Sequence, residues 1–285
     1  TFRNLTAMAN KLIVRTLSGV VYTASIIGGA FSPYIFSAIM AGYMARMMHE
    51  YYEMTIGGGA YRIERSLTIA ASALFLVMLF FIGNGDMSHK CLHFPVLILL
   101  AVMSFLIFNK AEFTPDRKGV NILFPVIYIA APFALLPKLM FVTGGYSPAI
   151  FISLFIMICM NDVGGYLVGM AFGQRENSKK LCPAVSPKKS VMGLWGEIVF
   201  TIFSAVVLKL VGLLEISWLH ILFFSLTVTA AGLLGDLFES LIKRQCGCKD
   251  SGNVMPGHGG ILDRMDSLIC VIPSALAYLK LFDIL

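Results

Sequence analysis

Nine blocks of roughly twenty apolar residues leave this chain only one environment in which to fold, a lipid bilayer. A backbone that crosses hydrocarbon must satisfy its own N–H and C=O groups, so each block is expected to be a helix. The blocks fall near residues 12–31, 33–52, 66–83, 94–109, 120–142, 147–172, 192–213, 216–241 and 262–283. Turn-forming residues break them: Ser32-Pro33, Gly57-Gly58-Gly59, Gly83-Asn84-Gly85, Thr114-Pro115-Asp116 and Gly144-Gly145. Composition agrees: 58% of residues are apolar and 13% charged, against about 25% charged in an ordinary globular domain. The expected fold is therefore all-α, a polytopic integral membrane protein of about nine transmembrane helices. It should divide into about five N-terminal spans (1–145) and a C-terminal region (146–285) that carries the polar chemistry. The first apolar run, from Leu12, lacks a small-residue cleavage site and is expected to remain as a span.

The net charge of +6 does not point to nucleic acid, because the basic residues are scattered over short loops. They report topology instead. With the N-terminus inside, 18 of the 22 Lys and Arg residues fall on the inner side, leaving Lys90, Lys138, Lys209 and Lys280 outside or snorkelling outward. The expectation is a cytoplasmic N-terminus, with anionic lipid head groups as the natural partners of the loops. The cysteines (Cys91, Cys159, Cys182, Cys246, Cys248 and Cys270) form no pair of pairs. Cys246-Gly247-Cys248 alone cannot supply the roughly four ligands of a zinc site.

One polar stretch, Ser240 to Asp266, interrupts the apolar pattern between the last two spans, on the inner side by the same count. It reads SLIKRQCGCKDSGNVMPGHGGILDRMD, with three Asp, four Lys or Arg, one His and five Gly. A loop that merely connects two spans does not need this composition. Charges held against hydrocarbon are costly and are usually retained for function. Further acids lie within or at the ends of spans. Asp162 follows Asn161 and precedes Gly164, Gly165 and Gly169, a spacing that admits another helix or a ligand. Asp236 and Ser240 share a helix face, and Glu239 can pair with Lys243 four residues on. Glu50 ends the second span, where it marks either a site or the membrane interface. Between spans six and seven, SPKKS (Ser186 to Ser190) leads into a helix that Ser186 or Ser190 can cap. Lys188 and Lys189 beside that N-terminus make a phosphate clamp.

The inner face thus offers acids at the membrane border (Asp162, Asp236, Asp250, Asp263 and Asp266) with Lys and Arg between them. Carboxylates suit hard cations such as Mg²⁺, which bridge protein oxygens to substrate phosphates. Gly257, Gly259 and Gly260 let backbone approach a phosphate, and the basic residues answer charge that shifts between phosphoryl oxygens. No Walker A, Ser-His-Asp or Rossmann glycine pattern is present in the sequence. The residues alone point to Mg²⁺-dependent phosphoryl or nucleotidyl transfer to a lipid at the inner leaflet.

The same stretch resembles the signature of the phosphatidate cytidylyltransferases (CDP-diacylglycerol synthases), S-x-x-K-R-x4-K-D-x5-P-G-H-G-G-x-x-D-R-x-D. Ser240, Lys243, Arg244, Lys249, Asp250, Pro256, Gly257, His258, Gly259, Gly260, Asp263, Arg264 and Asp266 all match. Gly235 to Ser240, the Asp162 segment and SPKKS are also similar to the family, so the likeness is strong from about residue 160 onward. The chain departs from the pattern at Met192, where the family usually has Glu, and at Asn161; Glu197, a little over one turn after Met192, is a weak substitute.

The resemblance implies the reaction of CTP with phosphatidate to give CDP-diacylglycerol and diphosphate. It implies an integral protein of the bacterial inner membrane with a cytoplasmic active site, and a homodimer. Asp236 and Asp263 would hold Mg²⁺, as one or two cations, with Asp162, Asp250 and Asp266 as further candidates. Lys188, Lys189, Lys243, Arg244, Lys249 and Arg264 would bind the triphosphate or lipid phosphate, with Ser186 beside them, and His258 would donate a hydrogen bond or orient the glycine turn. A CTP-dependent polyprenol or phytol kinase is the nearest alternative, and a cation-coupled transporter using Asp162 and Asp236 a more distant one. The complete Asp-Arg-x-Asp ending favours the cytidylyltransferase over the kinase. The sequence shows no inverted repeat of the kind transporters carry.

The basic-residue bias places residues 174–190 and 243–260 on the cytoplasmic side. In a background cleared of native cysteines, Asn177→Cys should resist an impermeant thiol reagent in intact cells and react once the membrane is opened. Labelling from outside intact cells would reverse the topology.

Overall fold

The computed structural model describes residues 2–57, 59–108, 120–142, 144–175, 178–257 and 259–284. The expected turns at Gly58 and at Thr114-Pro115-Asp116, and the site residue His258, lie outside the described residues. Each expected span overlaps a helix: α1 (Phe2–Gly29), α2 (Pro33–Thr55), α3 (Arg62–Gly83), α4 (His93–Phe108), α5 (Val120–Met140), α6 (Ala149–Phe172), α7 (Val191–Leu210), α8 (Trp218–Gln245) and α9 (Leu262–Leu281). Among the described residues, α3, α5, α6, α7 and α8 are long and apolar enough to cross a membrane. The chain is thus a helical protein of membrane character. Two short strands, β1 (Lys180–Cys182) and β2 (Ser186–Ser190), pair antiparallel in the basic loop before α7.

Local chemistry sets several helix ends. Pro33 opens α2, where a missing N–H costs nothing, after Ser32 in extended conformation. Ser190 and Ser217 cap α7 and α8, their Oγ atoms accepting from Gly193 N (3.1 Å) and His220 N (3.4 Å). α5 is not regular. Pro125 and Pro132 each remove an N–H from the ladder, and between them Val126–Ala130 widens into a π-turn, the Ala131 N–H reaching back to Val126 O.

The chain forms two compact units. One holds Thr1–Pro137 together with Cys248–Arg264; the other holds Lys138–Gly247 together with Met265–Leu285. In the first, α2 is flanked by α1, α3 and α5. Its inward side, Phe36, Met40, Met44, Met47, Met48 and Tyr52, is fully or almost fully buried. Phe36 meets Phe80 edge-on at 5.7 Å, Tyr51 stacks on Phe124 at 5.7 Å, and the buried Tyr52 hydroxyl donates to Ile122 O at 2.8 Å. Methionine suits this interior because it fills irregular gaps between rigid rings.

In the second unit α6 packs along α7, and both contact α8. Apolar burial drives helix association weakly in lipid, so close approach between small residues becomes important. A Cβ on Gly164 would run into the Gly196 carbonyl and Phe200, and one on Gly196 into the Gly164 carbonyl and Val168. The buried Asn161 Oδ1 accepts from Thr201 Oγ1 at 3.1 Å, so the first polar residue of the Asn161-Asp162 pair ties α6 to α7. Phe203, Val199 and Leu210 point outward and are 61%, 58% and 71% exposed, an apolar exterior suited to lipid.

Gly196→Val should separate α6 from α7 and lower the melting temperature of the detergent-solubilised protein. Overpacking of about 2 kcal/mol corresponds to a loss of about 4–8 °C at this chain length. Gly42→Ala, where a Cβ meets nothing within 4 Å, should leave it nearly unchanged.

Candidate functional site

The second unit gathers three acids. Asp236 and Glu239 sit near the end of α8 and Asp266 on α9, with one carboxylate oxygen from each lying within 4.8 Å of the others. Glu239 is fully buried and Asp266 nearly so, while Asp236 is partly open. Gly235 makes this possible. A side chain there would collide with the backbone of Asp266 and Ser267, so glycine lets α8 approach α9 at the level of the acids.

Two lysines answer part of this charge. Lys189, from β2, places Nζ 2.6 Å from Asp236 Oδ2, and Lys243 pairs with Glu239 one turn along α8. Burial alone would push the Lys189 ammonium toward the neutral form. The carboxylates of Asp236 and Glu197 outweigh it and hold the pKa above the ordinary lysine value, so Lys189 is cationic throughout the physiological range. Ser240 Oγ donates to Asp236 Oδ1 at 3.3 Å, so the face shared by this pair is used. Asp162 is exposed on α6, close enough for its charge to be felt at Asp266. Glu197 is buried on α7 against Gly165, and its Oε2 has no hydrogen-bond partner among the described residues.

The hairpin brings the basic loop to this site. Lys180 Nζ donates to Gly173 O (2.8 Å) and to Gln174 Oε1 (3.0 Å), and Gln174 Nε2 donates to Lys188 O (3.1 Å), tying both strands to the end of α6. Arg244 Nε donates to Val185 O in the hairpin turn at 3.4 Å. Lys188 and Ser186 lie on β2 with Lys189, Lys188 exposed and Ser186 half-buried.

The first unit holds the rest of the polar stretch. Asp263 Oδ2 accepts three hydrogen bonds, from Ser251 N (2.9 Å), Ser251 Oγ (2.9 Å) and Gly260 N (2.8 Å). Glu50, 1% exposed, reaches the same segment. Its Oε2 accepts from Leu262 N at 2.9 Å and lies 3.3 Å from Ser251 Oγ, while Oε1 accepts from Arg46 Nε at 3.1 Å. Two carboxylates thus pin Ser251, Gly260 and Leu262, and Met255 N donates to Gly259 O at 2.9 Å. Gly257 (φ 75°) and Gly259 (φ 88°) take left-handed backbone that only glycine adopts freely. A Cβ on Gly259 would lie 2.7 Å from Asp263 Oδ2, and one on Gly260 would strike Ser251 Oγ and Glu50. The turn rests on α1, where Ser18 Oγ donates to Pro256 O at 3.1 Å. Lys249, Asp250 and Arg264 are exposed in this segment.

The donor set of Asp236, Glu239 and Asp266 fits a hard divalent cation: all oxygen, all anionic when ionised, and largely out of water. Sequence reasoning singled out Asp236 and Asp266 and assigned Glu239 only to its lysine, which the structure also shows. The missed signal was spacing, because residues 236 and 239 at i and i+3 present two acids on one helix face. The sequence leaves Glu50 between a site and the membrane interface; Arg46 is a local partner, but Ser251 and Leu262 lie more than 200 positions away, beyond the reach of local pattern.

A family model described as Cytidylyltransferase family matches residues 11–282. A phosphatidate cytidylyltransferase of Bacillus subtilis (strain 168) is 37% identical over 204 residues, covering 72% of this chain and 72% of that protein. A phosphatidate cytidylyltransferase of Haemophilus influenzae is 42% identical over 125 residues, 42% of this chain and 41% of the relative. One of Mycobacterium bovis is 39% identical over 122 residues, 43% of this chain and 37% of the relative.

Glu50→Ala would leave the buried Leu262 N–H without its acceptor, a cost of about 1–3 kcal/mol. Hydrogen exchange at the Gly260 and Leu262 amides should accelerate at least about tenfold. Unchanged protection there would show that the turn stands without Glu50.

Proposed function

Because this chain belongs to the cytidylyltransferase family, we propose that it transfers the cytidylyl group of CTP to phosphatidate, giving CDP-diacylglycerol and diphosphate for phospholipid synthesis. The observation that carries the reading is the cluster of Asp236, Glu239 and Asp266 with Lys189 set 2.6 Å from Asp236. Acids and a permanently cationic lysine at a membrane border are what two phosphate-bearing substrates require. The nucleophile is already ionised in phosphatidate, so no strong general base is needed. The task is to hold two polyanions in line and answer the charge that shifts to the leaving diphosphate.

Each residue then has a role. Asp236, Glu239 and Asp266 hold Mg²⁺, with Asp162 beside them. The cation, when bound, draws charge from phosphate oxygens and supports displacement. Lys189, Lys188, Lys243 and Arg244 receive triphosphate oxygens, with Ser186 beside them. Asp263 enters here through its hold on the glycine turn, which the sequence pattern would instead make a metal ligand; the two roles differ in what Asp263→Asn does to cation dependence. Lys249, Asp250 and Arg264 serve the lipid phosphate, and His258 serves the same turn. Direct transfer fits this set, since the lipid phosphate brings its own anionic oxygen and two bound reactants need no covalent relay.

The finer architecture follows the same reading. Nine spans and a cytoplasmic N-terminus are supported by the apolar blocks and the basic-residue split. The cytoplasmic face of a bacterial inner membrane is where CTP is available, and a homodimer is the family expectation.

Purified protein incubated with labelled CTP, phosphatidate and Mg²⁺ should release diphosphate and form a labelled liponucleotide. Transfer of only the terminal phosphate to a lipid alcohol would instead identify a kinase. Asp236→Asn and Asp266→Asn should each lower kcat by more than roughly 10²-fold, about 3 kcal/mol or more of transition-state stabilisation, while leaving the melting profile intact. Either variant retaining above roughly a tenth of wild-type turnover would remove the cluster from the mechanism.

A further inference from the structure

Outside the residues assigned above, the first unit contains a cavity of about 390 Å³, with several polar side chains in its wall, where α2 meets the start of α3. It is lined by His49, Tyr52 and Glu53 of α2, by Gly59, and by Arg62, Arg65, Ser66 and Ile69 at the start of α3. The basic-residue bias assigns this loop to the cytoplasmic face. The cavity shares no residue with the carboxylate cluster or the glycine turn.

Three observations define its chemistry. Arg65 is only 7% exposed, a cation carried into the protein interior. Its Nη2 donates to Gly57 O at 2.7 Å and its Nη1 to Glu53 Oε1 at 3.3 Å, yet its Nε has no partner among the described residues. Glu53 is half exposed, so it neutralises this buried charge weakly. α3 is a 22-residue helix whose N-terminus opens here with no side-chain cap, Tyr61 standing at the cap in left-handed conformation (φ 55°). Its first-turn N–H groups carry the positive end of the helix dipole. Arg62 adds a second guanidinium, exposed and packed on Gly59, where a Cβ would lie 3.3 Å from its Nη2. Against these stands one lining acid, Glu53; Glu64, in the same helical turn, is not among the lining residues.

A buried arginine with an unpartnered Nε, a second arginine and a helix N-terminus without a side-chain cap around one cavity are the elements of an anion site. We propose that this cavity binds a phosphate group. The planar guanidinium matches two phosphate oxygens at once, which an ammonium does not. A phospholipid headgroup and a soluble phosphate compound share this chemistry. The inference needs no assumption about the reaction catalysed.

The test uses the delipidated full-length protein in detergent, with phosphatidylglycerol, phosphatidylcholine and inorganic phosphate as separate probes. Binding is read by native mass spectrometry for the lipids and by thermal shift for phosphate. Phosphatidylglycerol or inorganic phosphate should bind the wild type at least about tenfold more tightly than Arg62→Gln, equivalent to about 1.4 kcal/mol. Arg62 is exposed, so this variant is expected to fold; Arg65→Lys, which keeps the charge and loses the fork, should weaken binding as well. Preference for phosphatidylglycerol, with little response to inorganic phosphate, identifies a lipid headgroup; the reverse identifies a soluble phosphate. Equal binding of both anionic probes by wild type and Arg62→Gln would overturn the proposal, as would equal wild-type affinity for phosphatidylcholine and phosphatidylglycerol with no response to inorganic phosphate.

Discussion

A carboxylate carried to the edge of hydrocarbon must have its oxygens answered, and much of the described structure follows from how that is done. Glu50 is the clearest case. Removed from water at the end of α2, it is held by a guanidinium, a hydroxyl and the backbone N–H that opens α9. An unanswered buried charge costs several kcal/mol, so these donors are held in place by the charge they satisfy. The bond to Leu262 N also fixes where the last helix begins. Asp263, the residue after Leu262, repeats the device, with Ser251 and the Gly260 amide as donors. The glycines between them have a steric reason for being glycine: at 259 and 260 any side chain would occupy the space these carboxylates need.

In the second unit the solution differs. Asp236, Glu239 and Asp266 are brought close to one another as well as to donors of their own, Asp266 Oδ1 accepting from Ser267 N at 2.7 Å. Lysines from two different elements, a strand and the helix itself, supply the opposing charge. With its carboxylates ionised, such a group carries three negative charges against two ammonium groups. A satisfied carboxylate holds structure, whereas a crowded and incompletely neutralised one is prepared to exchange its partner for a ligand. That contrast, more than any single distance, separates the scaffold from the site.

The apolar blocks made the helices legible, because twenty apolar residues in hydrocarbon have few other conformations. The signature made many of the site residues legible, because polar groups at fixed spacing stand out in a chain this apolar. Three features were not readable. The hairpin of β1 and β2 is too short and too basic to give an alternating pattern, although the capping serine at its end was visible. The π-turn in α5 lies between two prolines seven residues apart, Pro125 and Pro132, and its register is not encoded in composition. Glu50 carries no local mark of its role, since its meaning is supplied by Ser251 and Leu262, far along the chain.

Charge accounting gives the cluster a direction. With its carboxylates ionised, the three acids exceed Lys189 and Lys243 by one negative charge, and by more when Asp162 and Glu197 are counted. A nucleoside triphosphate and a lipid phosphate would both be repelled by such a surface. On the proposed reaction a divalent cation would reverse the local sign and let an all-carboxylate group receive phosphate substrates. Lys189 then has two partners to choose between. The Lys189 ammonium is held at Asp236; on the proposed reaction it would turn to phosphate oxygen where a bound cation answers that carboxylate. A lysine on a short strand, tied to its helix through the Lys188 carbonyl rather than through its own side chain, has the freedom for that exchange.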